Sequence, residues 1–84
     1  MAEPSGAAIN IPQWDGQAQR CAVLWELQKG AHKAVCALYT HPIGAEIRAF
    51  VDDELWRTQA GRDRKTLVDL GLTWREQFQS KGWQ

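Results

Sequence analysis

The stretch "KAVCALYTHPIGAEIRAFV", residues 33–51, decides the fold of this chain. It holds two runs rich in strand formers, 33–41 and 45–51. Between them Pro42 fixes φ, and Gly44 supplies the left-handed residue of a type I turn with a bulge. The loop sets which side chains share a face, because a slip of one residue turns a whole strand over. A three-residue loop at Pro42-Ile43-Gly44 aligns Val35, Ala37 and Tyr39 with Ile47, Ala49 and Val51. Another register, or a bulge, aligns Cys36 and Leu38 with them instead. The second is favoured, because it gathers Val23, Trp25, Leu38, Ile47, Val51 and Trp56 in one apolar layer.

Two further strands flank this pair. Upstream, "RCAVLWELQ" (20–28) alternates Cys21, Val23, Trp25 and Leu27 against Ala22, Leu24, Glu26 and Gln28. With Gly30-Ala31 as a two-residue loop, Trp25 faces Cys36, Val23 faces Leu38 and Cys21 faces Thr40. Downstream, "DDEL" turns into "LWRTQ" (55–59), with either Asp52-Asp53 or Asp53-Glu54 as the loop. Both choices put Trp56 beside Ala49 and Val51, and put Leu55, Arg57 and Gln59 beside Arg48 and Phe50.

A helix follows Gly61. Asp63 is its expected N-cap, since a carboxylate there accepts unpaired N–H groups of the first turn. Leu67, Leu70, Gly71, Trp74 and Phe78 recur at helical spacing and form one stripe. Gly71 costs about 1 kcal/mol against alanine in a helix interior, which a close approach to Trp25 or Trp56 would explain. Gly82 as the left-handed residue past the helix end makes Phe78 and Trp83 the pair that touches in a Schellman closure. The resulting fold class is α+β, a four-stranded antiparallel meander over about residues 20–60 with one C-terminal helix, about 63–81, packed on one face. Residues 20–84 form the single domain. Residues 1–19 read as a tail and strap, in which Ile9, Ile11 and Trp14 are the large apolar groups that a strap would lay on the free face of the sheet.

Composition narrows the functions. Ten Lys+Arg balance ten Asp+Glu, so no global field attracts nucleic acid or an anionic membrane. No apolar run approaches the ~20 residues of a membrane span, and "MAEPSGAAIN" lacks the pattern of a secretion signal, so a cytoplasmic location and no membrane association are expected. Cys21 and Cys36 are expected as buried, reduced thiols. With His32 and His41 they lack the paired spacing of zinc ligands, so no metal or other cofactor is expected. Asp52, Asp53 and Glu54 read as a solvated hairpin tip, and neither serine has a histidine near it in sequence. With no phosphate loop either, the chain is not expected to be an enzyme.

What remains is surface. The sheet face away from the helix is expected to carry Ala22, Leu24, Val35, Ala37 and Tyr39, then Arg48, Phe50, Leu55 and Arg57. Arginine mixed with aromatic groups is enriched at protein interfaces. Tyr39, Arg48, Phe50 and Arg57 are therefore the candidate contacts of a small interaction or regulatory module, binding a protein partner or a second copy through this face or an edge strand. The alternative is a nucleic-acid binder that uses the same aromatics with a phosphate-binding cluster of Arg62, Arg64 and Lys65 at the helix start.

The run "THPIGAEIRAFVDDELWRTQ" with "TWREQFQSKGW" resembles a set of small uncharacterised bacterial proteins, in which a T-H-P-x-G turn, a V-D-G-E-L hairpin and a terminal K-G-W recur. The likeness covers roughly residues 21–83 and departs at Asp53, where that pattern carries glycine. It implies a bacterial cytosolic domain of strands followed by a helix, with no activity attached.

Overall fold

The computed structural model describes residues 17–84, and the strap residues Ile9, Ile11 and Trp14 lie outside them. Four strands, β1 (Arg20–Lys29), β2 (His32–His41), β3 (Gly44–Val51) and β4 (Glu54–Gly61), form one antiparallel sheet in the order β1-β2-β3-β4. Helix α1 (Arg64–Gln79) packs on one face of it.

The centre of the sheet is regular. β2 and β3 pair without a break from Ala34 opposite Val51 to His41 opposite Gly44, so Leu38 faces Ile47 and Cys36 faces Ala49. This is the favoured register, but the turn differs from the expected one. The loop is only Pro42-Ile43, and Gly44 already belongs to the strand with φ 147°. A Cβ at Gly44 would lie 2.7 Å from the Gly61 carbonyl oxygen, so the bare backbone lets the chain pass close to the end of β4.

Both outer strands are bulged. β1 slips against β2 between Arg20 and Ala22 and again between Val23 and Trp25, which leaves Cys21 and Leu24 as extra residues. Val23 therefore faces Ala37, and Ala22 faces Leu38. This corrects the expected layering, because Val23 leaves the helix side while Leu24 joins it, packed against the core. Cys21 is exposed rather than buried opposite Thr40, and Cys36 alone is a buried thiol, pushed up to about 11 by that burial. In β4 the slip falls between the pair Ala49–Arg57 and the pair Phe50–Leu55, so Trp56 is the extra residue.

The core lies between sheet and helix. Ile47 and Cys36 are its largest fully buried side chains, ringed by Trp25, Leu38, Leu67, Trp74 and Phe78. Gly71 sits over them, where a Cβ would approach Leu24 Cδ1 to 3.0 Å and Cys36 Sγ to 3.6 Å. The close neighbour that the glycine admits is thus Leu24 rather than Trp25 or Trp56, while the Trp25 indole reaches the helix backbone, donating to the Gly71 carbonyl at 2.8 Å. That bond satisfies the polar end of a buried tryptophan.

The helix ends follow the sequence reading closely. Asp63 accepts from the Lys65 N–H at 3.1 Å and the Thr66 hydroxyl at 2.7 Å. At the other end Trp83 N–H donates to the Phe78 carbonyl and Gly82 N–H to the Gln79 carbonyl, with Gly82 at φ 96°. This is the Schellman pattern, and the Phe78 and Trp83 rings meet at 5.3 Å, nearly perpendicular.

Candidate interaction surface

The face opposite the helix is built from residues of all four strands. Tyr39 and Arg48 lie diagonally across β2 and β3, and the Arg48 guanidinium covers the Tyr39 ring at 4.5 Å. Phe50 meets the same ring edge-on at 6.4 Å. Arg20, opposite Tyr39 on β1, donates to its hydroxyl at 3.3 Å. Three of the four expected contact residues, Tyr39, Arg48 and Phe50, thus stand together.

Arg57 does not stand with them. The bulge at Trp56 turns Trp56 and Arg57 to the same side, where the Arg57 guanidinium lies 4.3 Å from the Trp56 ring and 5.7 Å from the Trp74 ring, on the helix side. Leu24 and Ala22 leave the open face for the same reason, through the slips in β1. In their place stand Val23, Arg20 and Thr58. Alternation in "AVLWEL" does not mark Leu24 as the extra residue, so pattern alone could not place the slip.

Glu46 is the charged residue that sequence reading passed over. It accepts from Arg48 Nε at 3.0 Å and from the Thr58 hydroxyl, with Arg48 Nη2 at 2.9 Å, so one carboxylate joins β3 to β4. Its side chain is 13% exposed. Desolvation would raise its pKa, but the hydrogen bonds from Thr58 and Arg48 and the Arg48 charge outweigh it and hold the carboxyl below its ordinary range. Arg48 is thereby committed to Glu46 and Tyr39, a fixed part of the surface rather than a mobile charge.

The exposed apolar area lies around this network. Val23 is 44% exposed and Leu55 55%, while Tyr39 keeps only 8%. Beside Phe50 and Val35 is a hollow of about 450 Å³ with Arg20, Glu26, Lys33, Asp52 and Asp53 on its walls. Asp52 holds that end together, accepting from the Lys33 N–H at 3.0 Å and meeting His32 Nδ1 at 2.7 Å. The Lys33 bond and then the His32 bond hold its carboxyl below the usual range. It is thus tied to β2, not merely solvated at a hairpin tip.

The candidate phosphate cluster stays at the helix start. Lys65 is paired with Asp69 at 3.0 Å, and that hydrogen bond raises its pKa. Arg62 and Arg64 have no carboxylate partner among the described residues. Among the described residues no three His, Cys, Asp or Glu side chains group as a metal site, and no helix is long and apolar enough to cross a membrane. Comparison with protein families, curated proteins and solved structures finds no match to the chain.

Proposed function

We propose that this chain is a non-enzymatic, cytoplasmic interaction module that binds a protein partner, or a second copy of itself, through the open face of its sheet. The observation that carries this reading is the apolar patch of exposed Val23 and Leu55 with half-buried Val35 and Phe50, on a face covered by no other described strand or helix. Exposed apolar area rimmed by fixed polar groups is the usual form of a protein contact. Phe50 and Leu55 supply the buried area. Tyr39 and Arg48 pack beside them, joined by the stacked guanidinium and tied to Glu46.

Arg62 and Arg64, exposed and without carboxylate partners among the described residues, favour the second reading, nucleic-acid binding. Zero net charge weighs against it. So does the state of Tyr39, whose ring face is taken by Arg48 and is not open to a base.

The test is a tagged capture from lysate, with and without nuclease, using the wild-type chain, the double variant Phe50→Ala/Leu55→Ala, and Arg62→Gln/Arg64→Gln. A protein or second copy retained in both halves and lost with the first variant is expected. Equal retention by that variant would sink the reading, and nuclease-sensitive recovery lost with the arginine variant would replace it with the second.

A further inference from the structure

We propose that the hollow between β4 and the end of α1 is a separate binding site for a peptide segment of a protein partner, one carrying an aromatic or large aliphatic side chain beside carboxylates. It does not rest on the open-face reading, since it lies on the other side of the sheet.

The hollow measures about 480 Å³ and is walled by Val51, Trp56, Phe78 and Trp83, with Arg57 and Lys81 at its charged positions. That volume suits one bulky side chain and its flanking backbone. The aromatic walls pack on one another. Phe78 is held between Trp56 at 4.8 Å and Trp83 at 5.3 Å, and the Schellman closure fixes Trp83 in turn. Trp56 nevertheless remains 41% exposed, so one tryptophan of the cluster offers much of its surface to a ligand.

The bulge is the second observation. A regular strand would send Trp56 and Arg57 to opposite faces, whereas the extra residue points both to the helix side. Bulges concentrate at sheet edges and beside binding sites, where they re-aim a side chain at the expense of pairing.

Charge then selects the occupant. No carboxylate lines the hollow, and among the described residues none pairs with Arg57 or Lys81. Aromatic walls alone suit a quaternary ammonium as well as an apolar group, but two cations at the site repel an ammonium and attract an acid. The Arg57 guanidinium is already positioned over Trp56, and its planar fork matches a carboxylate.

The test uses the full chain, labelled with ¹⁵N, and reads the indole N–H signals of its tryptophans. The probes are acetyl-Asp-Phe-Asp-amide, acetyl-Lys-Phe-Lys-amide, acetyl-Asp-Ala-Asp-amide and phenylacetate. Saturable shifts at Trp56 and Trp83 are expected with the first peptide, and the buried Trp25 indole should stay still. The basic and the alanine peptides should bind roughly tenfold more weakly, and Arg57→Gln or Lys81→Gln should each remove roughly threefold of the acidic preference. Lys81 lies beyond the regular helix, so its variant serves if Arg57→Gln disturbs β4, and the Trp25 signal reports folding in both. No saturable shift with the acidic peptide at millimolar concentration, or equal binding of the basic one, would overturn the proposal. Phenylacetate binding as tightly as the acidic peptide would overturn the assignment to a peptide.

Discussion

The two inner strands and the two outer strands obey different rules. β2 and β3 keep one register from end to end, whereas β1 carries two slips and β4 one. An inner strand is hydrogen-bonded on both sides, so an extra residue would break two ladders. An outer strand has one free side and can absorb it. The inner strands therefore carry the stable core, with Cys36, Ile47 and Ala49 all fully buried. The outer strands carry large side chains that stay exposed, including Val23, Leu55, Trp56 and Arg57.

The largest expected effect tests that division directly. Ile47→Ala removes a fully buried side chain at the centre of the core and should cost about 3–4 kcal/mol in urea unfolding. Leu55→Ala, on the exposed part of β4, should cost about 0.5 kcal/mol or less. Similar costs at the two sites would break the contrast between centre and edge.

An intermediate effect joins centre to edge. Glu46 on β3 holds Thr58 on β4 as well as Arg48, and Glu46→Gln should cost about 1–2 kcal/mol near neutral pH, where charge-assisted bonds are lost. The carboxyl is held below its ordinary value of 4.5, so its contribution is present above that value and is lost as pH falls through the lowered folded-state pKa. The stability gap between wild type and variant should therefore be full near neutral pH and close in acid. A gap that is unchanged at about pH 3 would show that packing, not charge, carries the effect.

The same division explains what the sequence disclosed. Element order, the helix stripe and both helix ends were legible, because each rests on local chemistry: the Asp63 carboxylate, the 3.6-residue spacing from Leu67 to Phe78, and Gly82 between Phe78 and Trp83. The inner register was legible from the apolar layer it collects. The edges were not, because alternation assumes an unbroken pleat and nothing in "AVLWEL" or "LWRTQ" marks which residue is extra. Three neighbouring apolar residues, Val23, Leu24 and Trp25, fit two registers equally well by pattern. The choice is made by tertiary packing, with Leu24 fitting over Gly71 and Trp25 reaching its carbonyl. One slip of this kind moved Arg57 from the open face to the helix side and so divided the candidate site in two.

The smallest effect concerns the hairpin that joins an inner strand to an outer one. Its loop is Asp52-Asp53, and both residues have positive φ, 51° and 69°, the arrangement of a type I′ turn. Two aspartates there are not equivalent. Asp52 offsets its backbone strain with bonds to the Lys33 N–H and to His32, whereas Asp53 has no such bond among the described residues and stands between two other carboxylates. Glycine at 53 relieves the strained φ and part of the charge repulsion, while it raises the entropy of the unfolded chain. Relief should win by about 0.5 kcal/mol, or roughly 2–4 °C in Tm for a domain of this size. Asp52→Gly relieves the same kind of strain but discards both bonds, so it should lower Tm. If the two glycine variants raise Tm equally, the Asp52 bonds contribute nothing to stability, and the hairpin is held by its ladder alone.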